Sequence, residues 1–254
     1  MRIAILITAR LGSTRLPRKH LLPVRGKPII QYLVNAINNE FSAEKAAHKV
    51  VVAIATSERT ENLEFSSAVE GCEVFTGSDE NIPLRHLQAA EYFSADAIIS
   101  VDGDDILCSP AAMRGVFIAL LNGALFAKTE GLPLGMNASG YATAVLRKAL
   151  EKYEDADILE TGWGRVFEGV PVTKIEMLCI APENLRFTLD YEEDFKFFNA
   201  LIHNEAIASR LASDLEIVSF VMSHKLDSIT QPVVEKYWEN FYNRVDMEKG
   251  RSNT

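Results

Sequence analysis

The sequence predicts an α/β protein, with three layers and a mostly parallel sheet covered by helices on both faces. Continuous apolar runs occupy residues 3–7 and 50–55, and a third strand-like stretch, "AIISV", occupies 97–101, as strands buried on both faces require. Stretches of helical spacing separate these runs, among them "IIQYLVNAI" and "PLRHLQAAEYF". Strands alternating with helices at such separations build parallel βαβ units. Ligands of such sheets bind beyond the carboxyl ends of the strands, so the loops at those ends are where function is sought.

Taken in order, residues 3–7 form the first strand and 29–37 the first helix. Residues 50–55 form the second strand, and the polar-rich 58–69 reads as a helix. "CEVF" is a short strand, followed by a helix over 83–93 with a proline near its start. Residues 97–101 form the fourth strand, ending in "DGDD". After Leu121 turn residues dominate "EGLPLGMNASGYATAV" and "ETGWGRVFEG". "TKIEML" returns to strand alternation, and "FTLDYEEDFKFFNALI" carries a strand into a helix. This organisation reads as one domain over 1–230, with an insertion at about 122–180 that closes over the site. Residues 231–254 begin as an amphipathic helix and end in polar residues expected to fray.

Composition narrows the function. The chain has 254 residues, is 48% hydrophobic and 24% charged, and has a mean hydropathy of +0.02, as an ordinary globular protein has. A net charge of −9 argues against nucleic-acid or anionic-membrane partners. Cys72, Cys108 and Cys179 are scattered, with no zinc-ligand or disulfide spacing. The apolar run at the N-terminus is too short for a signal-peptide core or a membrane span, and the reading places the chain in the cytoplasm.

Against that acidic background, "ITARLGSTRLPRK" gathers Arg10, Arg15, Arg18 and Lys19 around Gly12 and Ser13 directly after the first strand. Backbone amides of a Gly/Ser loop wrap phosphate oxygens, and arginines bind them bidentately. The loop is neither GxxxxGK[ST] nor GxGxxG. A solvated charged loop is the plain alternative; the position after a buried strand favours an anion site. "SVDGDDILCSP" places Asp102, Asp104 and Asp105 at another strand end. Carboxylates clustered there need hydrogen bonds or a cation, and Mg²⁺ takes one or two carboxylates plus phosphate oxygens. "FTLDYEED" supplies Asp190, whereas Glu192 and Glu193 suit a helix N-terminus for dipole reasons alone. The five histidines read as structural or surface residues, no hydrolase triad is legible, and "YWENFYN" reads as a packing face.

"ARLGSTRLPRKHLLPVRGKPIIQYL", "GSDENIPLR" and "LRFTLDYEEDF" together resemble the cytidylyltransferases that activate acidic sugars, such as 3-deoxy-manno-octulosonate and acylneuraminate. The resemblance is strongest to the spore-coat polysaccharide (SpsF-like) branch. It implies the Rossmann-like sheet of nucleotide-diphosphosugar transferases. It also implies transfer of CMP from CTP to an acidic sugar with release of pyrophosphate, for surface polysaccharide or glycoconjugate synthesis. By that resemblance Arg10, Ser13 and Lys19 bind the triphosphate, helped by Arg15 and the Gly12 backbone. Ala9 and its neighbours recognise the base, Thr56 and Ser78 line the nucleotide side, and Arg85 matches the arginine of a "DR" pair. Asp104 and Asp190 match the metal aspartates for Mg²⁺, and Arg10, Lys19 and Asp104 carry the catalysis. A homodimer formed through the middle segment is implied as well.

The chain departs from the family pattern at His20, at Ala142 and Ala144 in "GYATAVL", and around Trp163 in "LETGWGRVF". These departures fall where the second substrate is expected. Other readings compatible with the same loop are a UTP- or GTP-using sugar-phosphate nucleotidyltransferase and a non-catalytic nucleotide-binding protein. A glycosyltransferase would use "DGD" as its metal motif.

Overall fold

The computed structural model describes residues 1–154 and 157–251. Seven strands form one sheet: β1 (Ile3–Thr8), β4 (Val50–Ser57), β5 (Glu73–Gly77), β6 (Ala97–Asp102), β7 (Phe126–Glu130), β8 (Ser139–Ala142) and β9 (Thr173–Glu176). Two further strands, β2 (Pro23–Val24) and β3 (Lys27–Pro28), make a separate hairpin. The order across the sheet is β5-β4-β1-β6-β8-β7-β9. All neighbours are parallel except β8, which runs antiparallel to both β6 and β7. The α/β, mostly parallel architecture expected from the apolar runs is therefore present.

The continuous apolar runs have the expected cause. Ile3, Ile5 and Ile7 of β1 enter one hydrophobic core, with helices Ile30–Glu40 and Pro110–Leu121. Ala4 and Leu6 enter a second core on the opposite face, with helices Ile82–Tyr92 and Thr143–Leu150. Every residue of β1 from Ile3 to Ile7 is fully buried. Asn81 and Ser109 cap the helices that follow β5 and β6 by accepting the N–H groups of Leu84 and Ala112.

Three expectations are corrected. The polar stretch 58–69 is not one helix but a 3₁₀ turn, Thr60–Glu64, followed by the short helix Phe65–Ala68. Asn62 is drawn in to accept the Leu11 N–H and donate to Ser57, which keeps that segment tight against the first loop. "FTLDY" is extended but joins no ladder beyond a single bridge between Arg186 and Leu134. Its N–H groups go instead to loop carbonyls, Phe187 to Leu134 and Leu189 to Asp104. Asp190 thus follows an extended segment laid across the acidic loop, not a strand of the sheet.

The third correction concerns the middle segment, 122–180, expected as an insertion closing over the site: it lines the cleft, but it also contributes β7, β8 and β9 to the sheet. The C-terminal helix spans Val234–Arg251; the frayed end expected after it lies outside the described residues. No described helix is long and apolar enough to cross a membrane.

Candidate active site

β1 and β6 are paired so that Thr8 lies opposite Asp102, and the basic and acidic loops leave the sheet side by side. Gly103 permits their approach. Its N–H donates to the Thr8 carbonyl at 2.7 Å, and a Cβ there would lie 2.9 Å from that oxygen and 2.9 Å from the Ala9 Cβ. Only glycine fits such a gap without a shift of backbone.

Above this junction opens a cleft of about 670 Å³. Ala9, Arg10, Gly12, Ser13, Arg15 and Lys19 line it from the first loop, and Asp102, Asp104 and Asp190 from the acidic side. Residues about ninety positions apart in sequence meet there because parallel sheet topology brings their strand ends together.

Lys19 is the hub. Its ammonium lies 2.7 Å from Asp104 Oδ2 and 3.0 Å from Asp190 Oδ1, and its side chain is 7% exposed. Burial alone would lower its pKa, but Asp104 and Asp190 outweigh that effect and raise it. The lysine is therefore charged at any physiological pH. Burial likewise opposes the charge on Asp104, yet Lys19 and the hydrogen bond from His20 hold its carboxyl well below the usual range. Asp102 opens to the cleft, but the protein around it, together with the charge on Asp104, lifts its pKa to about 6. Burial and the same two carboxylates push Asp105 well above its ordinary value.

His20, read from sequence as a bystander, is 2% exposed and connects the two loops. Its Nε2 lies 2.8 Å from Asp104 Oδ1 and its Nδ1 3.0 Å from the Arg10 carbonyl. Arg15 also pairs with Asp190. Asp194, 1% exposed, holds Asp190 in place: its Oδ2 accepts the Asp190 and Tyr191 N–H groups at 2.9 Å and pairs with buried Arg186. Glu192 and Glu193 open the helix Glu192–Ile202, and Glu192 pairs with Lys196 on its surface.

Arg10 forms a two-pronged ion pair with Glu160, a residue that sequence reasoning missed. Arg85 is buried and donates to the carbonyls of Ser78 (2.7 Å) and Asp79 (2.6 Å); burial lowers its pKa to about 10. It lines the cleft while shaping the Ser78–Asp79 turn. Thr56 and Ser78 do not line the cleft. Thr56 is wholly buried in β4, its Oγ1 without a partner among the described residues, and the Ser78 N–H is engaged by Gln88. Ala142 and Ala144 also stand outside the lining.

Another part of the lining is aromatic. Tyr141, Trp163 and Phe167 cluster with ring centroids 4.5–6.4 Å apart. Tyr237 and Phe241 join the cleft from the C-terminal helix, so "YWENFYN" does more than pack. Its signal was the helical spacing of 237, 241, 244 and 248. Among the described residues no group of three or more His, Cys, Asp or Glu forms a metal cluster.

A basic Gly/Ser loop beside paired aspartates, beyond the carboxyl ends of a mostly parallel sheet, has the chemistry that a nucleotidyltransferase needs. The comparisons take the class one step further. Residues 4–162 match the cytidylyltransferase family, and the chain belongs to it. The spore coat polysaccharide biosynthesis protein SpsF of Bacillus subtilis is 27% identical over 211 residues, spanning 78% of this chain and 85% of that protein. The 3-deoxy-manno-octulosonate cytidylyltransferase of Aeromonas salmonicida is 37% identical over 122 residues, 46% of this chain and 45% of its own. The solved structure of a cytidylyltransferase from Leptospira borgpetersenii superposes with a TM-score of 0.76 at 22% identity. That superposition covers 90% of this chain and 96% of the other.

Proposed function

We propose that this enzyme transfers CMP from CTP to an oxygen of an acidic sugar and releases pyrophosphate, for a surface polysaccharide or glycoconjugate. The observation that carries the reading is the buried Lys19 ammonium, held between Asp104 and Asp190 where the basic loop meets the acidic one. Attack on the α-phosphorus in line with the departing pyrophosphate needs positioning and charge neutralisation more than covalent chemistry. Arg10, Arg15 and Lys19 line the cleft on the side of the Gly12–Ser13 backbone, and can bind the β- and γ-phosphates as negative charge moves onto them. His20 and Asp194 keep Asp104 and Asp190 fixed, so no reorganisation is needed at the moment of reaction.

The donor set also fits Mg²⁺. Asp104 and Asp190 both reach the Lys19 ammonium, so their hard carboxylate oxygens lie close enough together that they would hold Mg²⁺ with triphosphate oxygens completing the shell. Bound there, the ion would supply further neutralisation of phosphate charge. The octulosonate cytidylyltransferase relative supports a sugar acid as the acceptor, and the SpsF relative supports polysaccharide biosynthesis as its destination.

Pyrophosphate release tests the reading, with CTP, UTP, GTP and ATP each paired with 3-deoxy-octulosonates, nonulosonates and simple phosphonates in the presence of Mg²⁺. Release that requires CTP and one sugar acid is expected. Release with UTP or GTP in preference to CTP, or tight CTP binding with no release across the panel, would overturn it.

A further inference from the structure

The C-terminal helix, Val234–Arg251, lies beyond the residues that match the family. Positions 237, 241, 244 and 248 share one helical face, and all four side chains line the cleft. Two residues dock the helix. Glu248 accepts the Thr161 N–H at 2.8 Å and an Arg165 N–H at 3.1 Å, and Asn240 donates to the Tyr191 hydroxyl at 2.8 Å.

Arg244 is different. It is half-buried, yet it makes no hydrogen bond or ion pair among the described residues. Each other arginine or lysine of the cleft is engaged: Arg10 by Glu160, Arg15 by Asp190, Lys19 by two aspartates, Arg85 by backbone carbonyls. A planar guanidinium kept uncommitted in a cleft is suited to a carboxylate, which it binds through two parallel hydrogen bonds.

We propose that Arg244 is the receptor for the carboxylate of the second substrate, so that the C-terminal helix selects acidic acceptors. This rests on the transferase reading above and adds to it a residue from outside the family match. The triphosphate has Arg10, Arg15 and Lys19 of the basic loop at the end of β1. The turn of helix that carries Arg244 instead packs over Gly162: a Cβ there would lie 3.2 Å from Val245 and 3.8 Å from Phe241. Gly162 adjoins Trp163, so Arg244 belongs to the aromatic side of the cleft.

The test is calorimetric titration of wild type, Arg244→Ala and Arg244→Lys. The probes are 3-deoxy-manno-octulosonate and N-acetylneuraminate, each as acid and as methyl ester, with and without cytidine 5′-(α,β-methylene)triphosphate. Wild type should bind one acid at least about tenfold more tightly than its ester, the size of a charge-assisted hydrogen bond. Arg244→Ala should erase that preference while leaving ester and nucleotide binding within about twofold, and Arg244→Lys should retain part of it.

The inference falls if Arg244→Ala binds the acid as wild type does, or loses ester equally, which would mean packing alone. It falls too if that variant loses the nucleotide, which would assign Arg244 to the triphosphate, or if wild type binds neither acid. Failure of wild type to bind the nucleotide would instead overturn the CTP reading, and the titrations without nucleotide still judge Arg244.

Discussion

On the wall formed by the ends of β1 and β6, Arg10, Arg15 and Lys19 each face a carboxylate. The aromatic wall holds one uncommitted arginine, and a fully buried histidine, His86, ties its rings to Thr8 through Tyr141. The first wall is assembled from charge, the second from packing. Polyphosphate binding needs cations held in place, and paired carboxylates supply that rigidity. Discrimination among acceptors needs shape and one directional contact, and on the proposed reading the rings and the Arg244 guanidinium would supply them.

The comparison breaks most readily at Lys19. Lys19→Ala should lower turnover by roughly 10²–10³, because the one ammonium shared by Asp104 and Asp190 is lost. The fold should survive, since Asp190 keeps Arg15 and Asp104 keeps His20. Steady-state pyrophosphate release alongside thermal unfolding separates the two effects. A variant retaining a large share of wild-type turnover would remove Lys19 from the charge balance of the first wall.

The two walls also differ in how legible they were. The basic loop stands in one short stretch, and a buried strand before it announces its place at a sheet end; Asp104 is marked in the same way. Glu160 could not be read, because its partner Arg10 is 150 positions away and only the folded cleft joins them. His20 looked ordinary because its worth lies in two contacts, to Asp104 and the Arg10 carbonyl, that no local pattern encodes. In the C-terminal helix the aromatic spacing was visible, but amphipathic spacing describes packing against a core and facing a cleft equally well. The alternation of "FTLDY" suggested a strand, yet alternation reports an extended chain and not where its N–H groups find partners.

A sharper test of the packed wall is pH. His86 is fully buried, and that burial, reinforced by nearby Arg85, lowers its pKa to about 3 from an ordinary value near 6.5. Thr8 Oγ1 lies 2.7 Å from its Nε2 and the Tyr141 hydroxyl 2.6 Å from its Nδ1, which a neutral ring satisfies with one donor and one acceptor. Above the unfolded pKa neither state binds the proton, so His86 adds no pH dependence there. As pH falls below about 6.5 the unfolded chain takes up a proton that the folded one refuses, and stability declines toward pH 3. The loss should reach about 2 kcal/mol by pH 5. Urea unfolding at pH 7 and pH 5 should show this decline in wild type and a smaller one in His86→Gln. Equal slopes would mean that the histidine is charged within the fold.

The smallest effect belongs to Glu160, where the two walls touch. Glu160 stands in the loop held by Glu248 of the C-terminal helix, but its carboxylate reaches across to Arg10. A triphosphate needing Arg10 must compete with that carboxylate. Glu160→Gln leaves the loop length and the backbone contacts to Glu248 intact while removing the competing charge. The pair is partly exposed, at 34% and 20%, so its worth is at most about 1 kcal/mol. CTP should accordingly bind up to about fivefold more tightly to Glu160→Gln at low ionic strength, with the gain shrinking as salt screens the charges. Tighter binding would define Glu160 as a stand-in for phosphate charge. Weaker binding would mean that Glu160 aims Arg10 at its ligand, and that the packed wall helps to set the geometry of the charged one.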